Sequence, residues 1–325
     1  MRLRRSSLTT LVALTAIATS GAAQDRELDE GGTFLLIPVG ARAAATGQAS
    51  VASGGSSESA FWNPAGLALM QSSEVALHHA TTFASNNTVL AGYLNAERFG
   101  VIGISAYLVD FGSQEVVLGP GLPVGRISPK NIELLASYAT EIVARFTFGL
   151  NYKFIQFRQD CSGNCTLFPT FVGTTHAVDF GAQYAFGTEE RLRFGLAIQH
   201  LGFKLQINNR DQADPLPTRV QAGVAYRIDL PRPRGVEQIL DALVMLDIRN
   251  RWGTYSNPDL RVGVDLGYED VVRLRAGYAF LESEAGGPSI GVGFRVGRLS
   301  LDFARVFFAQ SSFDEPTYIS VRAAL

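Results

Sequence analysis

Gly287-Pro288-Ser289-Ile290-Gly291 has the spacing of a nucleophile elbow. Such an elbow lifts its serine on a sharp strand-to-helix turn, so a helix must follow. Here Ile290, Val292, Phe294 and Val296 alternate with Ser289, Gly291, Gly293 and Arg295. That is strand patterning, and no catalytic residue is assigned. Gly291, Gly293 and Gly297 also fail as a dinucleotide loop, because the third glycine is displaced and no βαβ unit follows. On a strand these glycines instead thin the interior face so that the backbone of a plug can approach. His78 and His79 are adjacent, point to opposite faces of a strand and cannot share a metal there. With His176 and His200 they read as interface or interior residues. No metal or cofactor is expected.

The elements that position these residues begin with an export signal. Arg2, Arg4 and Arg5 precede a short apolar stretch, and Gly21-Ala22-Ala23 supplies small residues for cleavage. Residues 1–23 read as a secretory signal peptide, too short in its apolar part to span a bilayer as a helix. Its removal takes the formal charge from −2 to about −5, and no basic stripe remains for nucleic acid. In an exported chain, the two cysteines, Cys161 and Cys165, are expected to form a disulfide that orders a loop tip locally. Two thiolates would leave a tetrahedral metal site half filled.

Beyond the signal peptide no apolar run is long enough for a transmembrane helix, yet alternation recurs down the chain. Phe146, Phe148, Leu150, Tyr152 and Phe154 oppose Thr147, Gly149, Asn151 and Lys153. Val178, Phe180, Ala182 and Tyr184 oppose Asp179, Gly181 and Gln183; Leu274, Ala276, Tyr278 and Phe280 oppose Arg273, Arg275 and Gly277. Period 2 over so many segments predicts an all-β chain. An exported chain can bury its backbone in lipid as a closed sheet. The expected fold is a transmembrane antiparallel β-barrel of about fourteen strands over residues 73–325, apolar face to outer-membrane lipid. Short connections should alternate with long outer ones at 111–130, 160–174, 204–216, 251–258 and 282–288, and the Pro- and Arg-rich link 230–238 has room for a short helix. A soluble β-sandwich is disfavoured because roughly 250 residues of continuous strands exceed one sandwich core.

Residues 24–72 do not alternate and cannot be wall, so they belong in the periplasm or inside the lumen as a plug. They hold Phe34-Leu35-Leu36-Ile37-Pro38-Val39-Gly40-Ala41-Arg42, then Gly47-Gln48-Ala49, then Asn63-Pro64-Ala65-Gly66-Leu67-Ala68. This joint motif resembles the opening of the PorV/PorQ family, within the FadL-like superfamily of outer-membrane barrels. The resemblance implies a hatch in the lumen, with Asn63, Pro64, Ala65 and Gly66 matching the hatch motif and Gly40, Ala41, Arg42 and Gly47 the segment before it. It also implies one of two roles: holding cargo for type IX protein secretion, or passive passage of hydrophobic compounds such as long-chain fatty acids. The chain departs from the usual aromatic ending of such barrels, closing on Leu325.

Arg219, Arg227, Arg249, Arg261, Arg273, Arg275 and Arg295 fall on the interior face of the late strands, with Asp179, Asp247, Asp265 and Asp302 as facing acids. A charge ladder riveting plug to wall is the favoured reading; a lane guiding anions is the other. Arg42 is a candidate to pair with one of these acids. Apolar residues on the expected outer loops, among them Val116, Leu122, Leu167 and Phe171, suit a hydrophobic ligand, a protein client or packing over the barrel mouth.

Overall fold

The computed structural model describes residues 30–117, 123–164, 169–205, 213–230, 240–269, 271–281, 286–308 and 314–325. Fourteen antiparallel strands close into a barrel. They are β1 (Glu74–Thr81), β2 (Asn86–Asn95), β3 (Val101–Asp110), β5 (Gly125–Val143), β6 (Phe146–Gly163), β7 (Phe171–Phe186), β8 (Leu192–Gly202), β9 (Arg219–Asp229), β10 (Leu240–Arg251), β11 (Thr254–Tyr268), β12 (Val272–Phe280), β13 (Gly287–Val296), β14 (Leu299–Val306) and β15 (Thr317–Ala324). The short β4 (Gln114–Val116) pairs only with β5, above the wall. β1 closes the ring against β15, from Glu74 opposite Ala324 to Thr81 opposite Thr317.

The alternation has the expected sense. Ile104, Leu274 and Ile290 are 69%, 56% and 54% exposed on the outside, while the intervening Asn151, Asp179 and Gln221 are fully buried inside. So large an apolar belt has no place in water and none of that cost in lipid. No helix among the described residues is long and apolar enough to cross a membrane.

Three expected outer loops are shorter than the sequence suggested. Residues 125–130 continue β5, and 160–163 and 171–174 belong to β6 and β7. β5 and β6 therefore reach 19 and 18 residues and stand above the rim. The expected loop at 251–258 shrinks to a tight turn at Trp252-Gly253 (φ 83° at Gly253), with Arg251 opposite Thr254 and a register shift after Arg249, and residues 254–258 belong to β11. These stretches escaped notice because a strand wetted on both faces has no reason to alternate. The link at 231–239 and most of 282–288 lie outside the described residues, as do the signal peptide, Cys165, Leu122 and Leu167.

Residues 30–73 fold into the lumen through two short helices, α1 (Ala41–Ala45) and α2 (Ser59–Trp62), and 3-10 turns at Thr33–Leu36 and Pro64–Leu69. The interior has two halves. Towards β1–β6, Phe34, Leu35, Ala60, Leu67 and Met70 pack on inward-facing Val89, Tyr93, Val101, Tyr107 and Ile155. Towards β7–β15 the interior is more polar and charged, with smaller apolar contacts where Ala41, Ala44 and Ala45 meet Ala304 and Tyr318.

Candidate functional site

The contact between lumen segment and wall is built on absent side chains. A Cβ at Gly149 would lie 2.2 Å from the Pro64 carbonyl carbon, at Gly195 2.1 Å from the Val51 oxygen, at Gly263 2.4 Å from the Thr46 oxygen and at Gly277 2.1 Å from the Gly47 nitrogen. Gly181 meets Asn63 in the same way, and Gly291 meets Ala45. These glycines pair across the sheet, Gly149 with Gly181, Gly195 with Gly223 and Gly263 with Gly277. The result is a belt on which another backbone can lie. Gly293 and Gly297 do not belong to it. Gly293 makes room for the Asp302 and Arg275 side chains, and Gly297 (φ 59°) forms the β13–β14 turn.

Wall side chains then pin the plug backbone. Asn151 donates to the Ala60 carbonyl (2.7 Å), Gln199 to Phe61 (2.6 Å), and Gln183 to both Val51 (2.9 Å) and Ser53 (2.8 Å). Asp247 accepts from the Val51 amide (2.9 Å), Ser320 from Ala41 (2.9 Å), and Ser289 accepts from Gly47 (3.0 Å) while donating to Ala45 (3.0 Å). Ser289 of the elbow-like string is thus a plug anchor on a strand.

Asn63 is the centre of the seat. Its Nδ2 donates to the Val51 carbonyl at 2.6 Å and to the wall carbonyls of Ala182 (3.2 Å) and Leu196 (3.4 Å). Its Oδ1 accepts from the Ala65 amide (3.1 Å), capping the turn that Pro64 begins. Gly66 packs against Ser53 and Gly54, where a Cβ would sit 2.9 Å from the Ser53 oxygen. Asn63→Ala should loosen the seat by about 1–3 kcal/mol, the usual cost of unpaired buried polar groups. Limited proteolysis should then cut residues 53–68 faster than in the parent, and equal cleavage rates would refute the role.

Arg42 reaches Asp265 (3.6 Å) and the Gly54 carbonyl (3.4 Å). Gly40 (φ 91°) lies against Glu58, whose carboxylate accepts from the Ala43 amide (3.1 Å). Burial raises the Glu58 carboxyl above its ordinary range, with Arg322, the Ala43 amide and Arg42 opposing it.

The interior charges are sorted less simply than sequence suggests. Arg275 bridges Asp265 (2.9 Å) and Asp302 (2.6 Å), and Arg273 reaches Asp241 (2.9 Å) and Asp265 (3.6 Å). Arg219 pairs with Glu30 and not with an aspartate. Asp179 pairs with Lys153, and Asp247 is held by Val51 and Gln221. Arg261 takes Asp259 (3.2 Å), while Arg227 and Arg295 lie exposed at the periplasmic mouth, Arg295 reaching Ser300 at 3.5 Å. Sequence reasoning passed over Glu58, Glu133, Arg322 and the role of Lys153. Lys153 Nζ sits 2.9 Å from Glu133 and from Asp179 and 3.1 Å from His200 Nδ1. His78 is held between Ser57 (3.1 Å) and Ser320 (2.8 Å), whereas His79 and His176 bond Thr88 and Tyr152 on the outside. Among the described residues no cluster suits a metal ion. Cys161 lies at the outer end of β6, opposite Ile127.

The plug divides the lumen. At the outer end is a mostly apolar cavity of about 720 Å³, floored by Phe34, Leu36, Ile37 and Pro38, with Arg219, Arg249 and Arg261 on one wall. At the short-turn, periplasmic end are charged clefts of about 140 and 270 Å³ sharing Arg42 and Arg227. Beside the plug the spaces shrink to about 20 Å³ near Phe61 and about 10 Å³ near Glu58, single-water size. Glu30, at the outer end, takes Arg219 (2.8 Å) and Arg251 (2.7 Å). Burial pushes its carboxyl up, but the two arginines outweigh this and hold it below its ordinary range.

Comparison with known proteins follows this geometry. The family model for the type IX secretion system protein PorV matches residues 20–238. No curated protein matches the sequence. Among solved structures, the Ralstonia pickettii toluene transporter TbuX is similar at 12% identity, TM-score 0.59, over 88% of this chain and 98% of that one. The P. putida toluene transporter TodX is similar at 11%, 0.59, 88% and 98%. The monoaromatic hydrocarbon channel CymD is similar at 12%, 0.59, 89% and 98%. At these identities the likeness is one of fold.

Proposed function

The chain belongs to the type IX secretion system protein PorV family, and on that footing we propose that this outer-membrane barrel serves protein secretion by binding cargo or assembly partners at its outer end. The observation that carries the proposal is the seating of the plug. Backbone rests on a glycine belt, wall side chains donate to its carbonyls, and the spaces beside it are of single-water size. A lumen blocked in this way suits a barrel that holds a partner better than one that passes a solute. Signal-peptide export of residues 24–325 and a Cys161–Cys165 bridge belong to the same reading.

A second reading, passive passage of hydrophobic compounds, draws on the apolar outer cavity. It requires the hatch around Asn63–Gly66 to move aside. Neither reading calls for catalysis. Affinity purification of the tagged barrel in mild detergent, analysed for proteins and extracted lipids, separates them. The expected result is a stoichiometric protein partner and no bound lipid. Bound apolar molecules without a partner would transfer the case to transport.

A further inference from the structure

The short-turn end of the lumen carries arginine charge that the described residues do not neutralise. Arg227 on β9 lines both charged clefts there, and Arg295 on β13 lines the smaller one. Arg227 lies opposite Leu243 and Arg295 opposite Ser300, in step with the inward-facing Gln221 and Gly291 of their own strands. Both arginines are exposed. The acids around them are committed elsewhere. Asp241 takes Arg273, Asp265 and Asp302 take Arg275, Glu189 and Asp229 take Arg191, and Glu190 takes Arg145 and Arg193. Among the described residues neither Arg227 nor Arg295 forms an ion pair, and the Arg295 side chain reaches the Ser300 hydroxyl at 3.5 Å. Arg42, from the plug, is the third cation here. It lines both clefts, is a quarter exposed and stands 3.6 Å from Asp265, an acid that Arg275 already takes at 2.9 Å. The excess charge is spread along the mouth and does not converge on a point, which suits a chain of carboxylates better than one small anion. Leu243 lines both clefts, half-buried against Ala52 and Ala225. A lipid headgroup would have to leave its leaflet to arrive, because the wall stands between lipid and lumen.

We propose that the periplasmic mouth of the barrel receives an acidic stretch of a second polypeptide, its carboxylates on Arg227, Arg295 and Arg42 and an apolar side chain over Leu243. Planar guanidinium forks match carboxylates. The clefts, about 140 and 270 Å³, have room for side chains, and the plug closes them from above. This partner docks on the opposite side of the membrane from the outer end, so the proposal and the secretion reading stand or fall separately. Arg42 belongs to the plug and the other two arginines to the wall, so a docked chain ties plug and wall together.

The probe is a fluorescein-labelled peptide of alternating Glu and Leu, compared with the same peptide carrying Gln in place of Glu. Binding to the purified full-length barrel in an uncharged detergent is read by anisotropy. The Glu peptide should bind at least about tenfold more tightly than the Gln peptide, and added salt should narrow the gap. Arg227→Gln and Arg295→Gln should each weaken Glu-peptide binding by about threefold, and the double variant should bring it down to that of the Gln peptide. Both arginines are exposed, so these variants should fold, which heat-modifiable gel migration checks. Arg126→Gln, at the outer end, should change nothing. Equal binding of the two peptides by the parent barrel would overturn the proposal, and that comparison needs no variant. A Glu preference that survives the double substitution, or that Arg126→Gln abolishes, overturns it too, because the acid then sits elsewhere. So does release of the Glu peptide by inorganic phosphate where chloride of equal ionic strength leaves it bound, which marks a small-anion site.

Discussion

Gly277→Leu is expected to turn a closed barrel into an ion-conducting pore. Position 277 faces Gly47, and even a Cβ there would lie 2.1 Å from the Gly47 nitrogen. The obstacle is main chain, so no rotamer change can relieve it. Gly47 itself holds a φ of 61°, and Gly263 on the paired strand position is pressed equally hard by Thr46. Overpacking of a side-chain core costs about 1–3 kcal/mol because neighbours can shift. Here the neighbours are two backbones that hydrogen bonds already fix, so the plug has to leave its seat. Planar-bilayer recordings should show steady conductance for the variant and none for the parent. Gly92→Leu, where an added Cβ meets nothing within 4 Å, should stay closed. A folded Gly277→Leu barrel as silent as the parent, with its plug still protected from protease, would mean that the belt does not set the fit.

Lys153→Met should cost the barrel about 3–5 kcal/mol, the usual range for breaking a buried ion pair by removing one partner. Lys153, Glu133 and Asp179 are 1%, 2% and 0% exposed, so the substitution strands two carboxylates together away from water. Asp179 also accepts from Asn151 and from the His200 amide at the β8 bulge, so the damage should spread to the plug through Asn151. Urea unfolding in detergent is the measurement. Combining Lys153→Met with Glu133→Gln and Asp179→Asn should recover most of the loss, because no charge then lies unpaired. A single variant as stable as the parent would show that water reaches the cluster.

How much of this was legible in the sequence depends on which physical rule was at work. The wall strands stood out because lipid on one side and lumen on the other force alternation, as from Phe146 to Phe154. β1–β3 alternate less clearly because their inward side chains, such as Val89 and Tyr107, are apolar too, meeting plug and not water. The upper parts of β5 and β6 were invisible for the opposite reason, with water on both faces. The lumen glycines could be read as places where plug backbone approaches, yet which of them serve that purpose could not, since Gly291 meets Ala45 whereas Gly293 and Gly297 do not touch the plug. Charge pairing was the least legible. Asp265 and Arg275 are direct cross-strand neighbours, but Arg275 also reaches Asp302 two strands away, which only the register reveals. Lys153 was visible on the interior face; its two acids and the bulged His200 come together only once β5, β6, β7 and β8 are aligned.

Glu30 is bonded to Arg219 and Arg251 at the outer end, whereas Glu74 opens β1 at the other end, opposite Ala324. The segment between them therefore runs the length of a ring that the same chain closes. A thread already lying through a hoop is easily enclosed, but passing it through afterwards means hauling its free end past every close contact of the glycine belt. Plug and wall are thus a problem in sequence of events as much as in fit. The hoop has to be shut around the thread, and Ala41 is bonded to Ser320 on β15, the strand that meets β1 where the circle closes.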